Sequence, residues 1–153
     1  MNFSIVNAQI SDIPVIFSQA KSLIDAYEDV ASIDYERVLR WMERKITQNI
    51  CEYRCLITDG QRCAFWHLCE DGELDDLYVL PAFRNMGIGS LILKQCIEES
   101  KEPVWLYVFS RNKRAISFYE RFGFTVRESV GATRLIMERM VDTVSSKVYN
   151  SLR

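Results

Sequence analysis

Residues 73 to 90 hold the densest set of groups fit for chemistry in this 153-residue chain. Three carboxylates, Glu73, Asp75 and Asp76, lead a strand-like run into Arg84-Asn85-Met86-Gly87-Ile88-Gly89-Ser90. The residues after Gly87 have the spacing of an amphipathic helix. A turn of this kind points several backbone N–H groups outward at the positive end of a helix, which suits a phosphate or pyrophosphate. Gly87 and Gly89 let a ligand approach the backbone with no Cβ in the way. Arg84 adds a planar fork of donors for phosphate oxygens. The acids read in two ways. They are either a solvated hairpin end beside Asp71-Gly72, or carboxylates held near a cationic or proton-donating substrate. Strand alternation places Glu73 and Asp75 on one face and Asp76 on the other.

Two familiar phosphate loops fit poorly. A dinucleotide fingerprint needs a third glycine where Ile92 stands, and a Walker loop needs Lys-Ser/Thr where Ser90-Leu91 stands. A third comparison is closer. Leu77-Tyr78-Val79-x-Pro81-x-x-Arg84-x-x-Gly87-Ile88-Gly89 resembles the acyl-CoA-binding motif of the GNAT superfamily of N-acyltransferases. Downstream, Leu106-Tyr107-Val108-x-x-x-Asn112-x-x-Ala115-x-x-Phe118-Tyr119-x-x-x-Gly123-Phe124 continues the resemblance in the family's order and spacing.

The resemblance implies acetyl transfer from acetyl-CoA to a primary amine of a small molecule or peptide, by direct attack through a tetrahedral intermediate. The alternative is a non-catalytic acyl-CoA-binding or protein-interaction module on the same fold. Such transfer needs a neutral amine, a stabilised oxyanion and a protonated leaving thiolate. By resemblance Tyr119 is the acid for the thiolate, although its spacing with Ala115, Ile116 and Phe122 equally describes a core stripe. Asp75 or Asp76 is the base by the same argument, with Glu73 behind them. Leu77, Tyr78 and Val79 would line the cofactor, a backbone N–H at Val79 meeting the oxyanion. The pyrophosphate would rest on N–H groups from Arg84 to Ser90, through Asn85, Met86, Gly87, Ile88 and Gly89. Asn112, Ala115 and Phe118 would flank the pantetheine arm, and Asn112 is also a good helix N-cap. Arg111, Lys113 and Arg114 either face the 3′-phosphate or form a solvated basic turn. Asn85-Met86 departs from the family, where glycine plus a basic residue is common. Asn tolerates left-handed backbone, so the loop is expected to survive.

Composition narrows the classes. Hydrophobic residues make up 48% and charged residues 26%, as in an ordinary globular domain. A net charge of -2 gives no general pull toward nucleic acid or anionic membrane. The first residues lack a basic n-region and a long apolar h-region, so the expected compartment is the cytoplasm. Cys51, Cys55, Cys63, Cys69 and Cys96 include no Cys-x-x-Cys pair, and His67 alone cannot complete a zinc set with them. Structural thiols and no metal are expected. Acids around residues 70 to 76 suit a cationic acceptor. A homodimer follows only from family habit.

The elements that must position these groups follow from periodicity. Strands are expected at 3–8, 51–58, 62–69, 73–80, 104–109, 124–129 and 133–140, and helices near 13–24, from 34, 87–100 and 112–122. Asp59-Gly60 and Asp71-Gly72 signal hairpin turns. The order predicts a mixed α/β domain over residues 1–140, with residues 141–153 as a C-terminal appendage. Resemblance refines this to a mostly antiparallel sheet of about seven strands with helices on both faces. In that fold the fourth and fifth strands splay to admit the cofactor, and Pro81 helps to end the fourth.

Overall fold

A computed structural model describes residues 2–140; the proposed 141–153 appendage lies outside the described residues. Among the described residues there are seven strands: β1 (Phe3–Asn7), β2 (Arg54–Thr58), β3 (Gln61–Leu68), β4 (Leu74–Val79), β5 (Trp105–Phe109), β6 (Phe124–Val130) and β7 (Arg134–Arg139). Four helices accompany them: α1 (Ile13–Tyr27), α2 (Tyr35–Asn49), α3 (Ile88–Glu99) and α4 (Lys113–Glu120). The expected α/β order is therefore present, with ends trimmed by a few residues. The largest change is at residues 50–52, a 3₁₀ turn, so Cys51 precedes its strand.

Local chemistry explains these elements. Asp59 and Gly60 both take positive φ, 50° and 75°, which a two-residue hairpin between β2 and β3 requires. Pro14 opens α1, where its missing N–H costs nothing. The Asp12 carboxylate accepts the Gln9 N–H at 2.7 Å and pairs with Arg62 at 2.6 Å, so it ties the entry of α1 to β3. Asp34 caps α2, accepting the Arg37 N–H at 3.3 Å. Met42 and Ile46 are buried at i, i+4 on that helix.

The strands form two antiparallel sheets, ordered β1-β2-β3-β4 and β5-β7-β6. They meet at a parallel bridge between Glu73 and Trp105, where the Trp105 N–H donates to the Gly72 carbonyl at 3.0 Å. Beyond this point β4 and β5 part. Gly72 is forced there: its φ is +92°, and a Cβ would overlap the Pro103 carbonyl oxygen. Core residues fill both faces. Trp66, Ile92, Leu93, Leu106, Phe124 and Met137 are buried in one cluster, against which residues of α4 pack. Ile16, Ile46, Tyr53, Phe65 and Tyr78 are buried in the other, with α1 and α2.

Candidate active site

The turn at residues 84–90 has the left-handed backbone its sequence implies. After Pro81–Phe83, a short 3₁₀ turn, Asn85 has φ +63° and Gly87 φ +77°, both left-handed. Gly87 caps α3, and nothing lies within 4 Å of a Cβ built on it. Ile88 is in the core, so only its backbone faces the turn, whereas the Met86 side chain is exposed. Arg84 has partners within the protein. Its Nε donates to the Val79 carbonyl at 3.0 Å and its Nη2 to Gln19 on α1 at 3.3 Å. Two of its donors thus join the end of β4 to α1.

β4 is an edge strand above the Glu73–Trp105 bridge. The Leu80 N–H donates to the Cys63 carbonyl at 2.9 Å. Alternation then turns the N–H groups of Leu77 and Val79 away from β3, into the gap between the sheets. The Tyr78 side chain is buried on the α1–α2 side and, by the same alternation, its backbone groups face Phe65 of β3.

Simple alternation fails for the acids. In the β3–β4 register His67 pairs with Asp76 and Leu68 with Leu74, leaving Asp75 as the extra residue of a β-bulge. The bulge brings Asp75 and Asp76 to the same side, where both meet Lys45 of α2, at 3.2 Å and 3.3 Å. Asp76 is 7% exposed. Tyr53 donates to its Oδ2, and Tyr78 donates to Oδ1 at 2.7 Å. Every oxygen of Asp76 is thus partnered. Burial raises its pKa despite Lys45.

Asp75 is more open. Its Oδ2 lies 3.1 Å from His67 Nδ1, while His67 Nε2 lies 3.1 Å from Glu52 Oε2. Burial would raise the Asp75 pKa, but the His67 hydrogen bond and the Lys45 charge outweigh it and hold the carboxyl low. His67 is 4% exposed and stacks on Tyr53 at 4.8 Å between centroids. Burial opposes its charge; Asp75 and Glu52 prevail and raise its pKa. The Glu73 pKa is also raised, by burial and then by repulsion from Asp75 and Asp71. Lys45, Tyr53, His67 and Glu52 were not among the residues expected from the sequence.

On the opposite face, Asn112 caps α4 through its Oδ1, accepting the Ala115 N–H at 3.1 Å. Ala115, Phe118 and Tyr119 pack on the core, and Phe118 lies 3.5 Å from a Cβ placed on Gly89. Tyr119 meets Phe118 edge-on at 5.1 Å and Phe124 at 5.5 Å. Burial, reinforced by Cys96 and Asp76, drives its phenol pKa up. It stays protonated at neutral pH, a donor rather than a base.

Comparison with known proteins agrees with this geometry. The chain is 36% identical over 75 residues to an uncharacterized N-acetyltransferase of Methanocaldococcus jannaschii. That match covers 46% of this chain and 33% of the relative, so it spans about a third of the relative's length. The fold resembles the PaiA N-acetyltransferase of Thermoplasma acidophilum, crystallised with coenzyme A. That likeness has a TM-score of 0.66 and 22% identity, over 92% of this chain and all of that one. It also resembles YncA of Salmonella typhimurium, a putative acetyltransferase solved with acetyl-CoA. The TM-score there is 0.62 at 18% identity, covering 93% of this chain and 95% of the other. The model of the acetyltransferase (GNAT) family matches residues 20–124. With that match, and with the splayed strands and the left-handed turn before α3, the chain belongs to the GNAT acetyltransferase family.

Proposed function

We propose that this chain is an N-acetyltransferase that moves the acetyl group of acetyl-CoA to a primary amine of a small molecule or peptide. The observation that carries the reading is the free edge of β4. Its Leu77 and Val79 N–H groups face the gap, which leads to the left-handed turn before α3. The thioester carbonyl would accept from Val79, the pyrophosphate would lie on the Arg84 to Ser90 turn, and Asn112, Ala115 and Phe118 would flank the pantetheine. Tyr119 would protonate the departing thiolate.

Distance orders the carboxylates. At about 3.3 Å per residue, Asp75 lies about 13 Å along the strand from Val79 and Glu73 about 20 Å. Asp76 is closer but sealed by Tyr53, Tyr78 and Lys45. Asp75 is therefore the base, acting through water, with Glu73 adding negative charge. Glu52, Asp71, Glu73 and Asp75 make the region acidic and favour a cationic acceptor. All five cysteines are free thiols, and among the described residues no helix is long and apolar enough to cross a membrane. Both facts suit a cytoplasmic enzyme.

One observation favours the module alternative: Asp75 and Asp76 both already have protein partners. Calorimetric titration with acetyl-CoA, with NAD and ATP as controls, followed by a thiol-release screen of amines, separates the readings. Micromolar acetyl-CoA binding and turnover of polyamines or aminosugars is the expected result. Binding without turnover across a broad panel supports the module, and silence toward acetyl-CoA removes both.

A further inference from the structure

The turn before α3 lacks a phosphate-facing cation of its own. Arg84 is committed to Val79 and Gln19, and positions 85 and 86 are Asn and Met. A cation arrives from elsewhere. Arg114, in the first turn of α4, donates from Nη2 to Asn85 Oδ1 at 2.7 Å. The placement follows from helix packing. Arg114 and Phe118 are i, i+4 neighbours on one face of α4. They meet Asn85 and Gly89, also four residues apart, at the head of α3. The phenyl ring approaches the first turn of α3, and the guanidinium reaches the left-handed residue Asn85.

We infer that Arg114 is the pyrophosphate-binding cation of this loop, while Arg84 serves as a latch for the end of β4. The inference rests on the acetyl-CoA reading above. It differs from the expectation that the basic turn at residues 111–114 reads the 3′-phosphate. The bond to Asn85 uses one of the five guanidinium N–H donors and leaves the others for an anion. α3's unpaired N-terminal N–H groups supply the other half of an anion site.

The test uses calorimetric titration of the parent chain, Arg114→Gln and Arg114→Lys with CoA and with 3′-dephospho-CoA, which keeps the pyrophosphate. Arg114→Gln should weaken both ligands by the same factor, roughly tenfold for one lost charge-assisted contact. It should also flatten the dependence of Kd on salt, because screening acts on the lost charge. Arg114→Lys should recover most of the loss. Arg114 is exposed, so melting curves should overlay. A loss seen with CoA but not with dephospho-CoA would assign Arg114 to the 3′-phosphate and overturn the inference. Equal affinities in the parent and Arg114→Gln would leave Arg114 as a mere partner of Asn85, with the acetyl-CoA reading intact. Failure of the parent to bind either ligand would instead remove that reading and this one together.

Discussion

The Lys45 ammonium of α2 stands 3.3 Å from the Asp76 carboxylate of β4, with Lys45 also 3.2 Å from Asp75. One side chain thus fastens a helix to the strand that carries the site. Burial opposes its charge, but Asp76 and Asp75 outweigh that cost and raise the Lys45 pKa. Replacing Lys45 by Met leaves a buried carboxylate without its cation, a change that costs about 3 kcal/mol. Denaturant unfolding should show this loss, and Lys45→Met combined with Asp76→Asn should restore a large part of it. A double variant no more stable than Lys45→Met alone would mean that the pair is not coupled.

His67 gives the same region a pH dependence of definite sign. Its ordinary pKa is 6.5 and its folded value is higher. The groups facing it are Asp75, Glu52, Asp76 and Cys69, with Tyr53 stacked on the ring. A raised pKa means that the folded state binds the proton more tightly, so this stability is complete below pH 6.5 and is lost as pH rises through the folded value. The melting temperature of the parent should exceed that of His67→Gln most at pH 6, and the gap should narrow toward pH 9. A gap that is constant with pH would show that the ring acts through packing alone.

Gly72 tests whether the splay is built in by sterics. Its φ of +92° and the Pro103 carbonyl lying where a Cβ would go leave no room for a side chain at the β4–β5 junction. Gly72→Ala must shift the Pro103 segment and lengthen the Trp105–Gly72 hydrogen bond. A loss of about 2 kcal/mol is expected from the strained φ and the overlap together. Ala in place of Gly60, also at positive φ but with open space around it, should cost less. Equal losses at the two positions would show that the junction is not special.

The turn at residues 84–90 was legible because its signals are local. Asn and Gly declare left-handed backbone wherever they stand, and Asn85 and Gly87 do adopt it. The network behind β4 was not legible, because the links of Tyr53 and Lys45 to its aspartates span 23 to 31 residues of sequence. A clue to the bulge was nevertheless present. Leu74, Leu77 and Val79 all lie against the α3-side core, and a spacing of three between the first two breaks the period of a regular strand. Reading Asp75 as the extra residue would have put it beside Asp76. The Arg84 contact was hidden for a similar reason: its partner Gln19 lies on α1, 65 residues away in sequence.

Tyr119 is where the catalytic and module readings part most sharply. Its ring packs among Phe118, Phe124 and other core residues, so removing the hydroxyl alone leaves the packing in place. Among the described residues the hydroxyl has no hydrogen-bond partner, and burial keeps it protonated. Tyr119→Phe should therefore keep the parent's melting temperature and acetyl-CoA affinity. Its kcat should fall by about a hundredfold, in the range that a positioned general acid contributes. The alkaline limb of the pH–rate profile should change as well if the phenol supplies the proton. Unchanged kcat in Tyr119→Phe, measured on an acceptor that the parent turns over, would return Tyr119 to the core and leave the thiolate to be protonated by water.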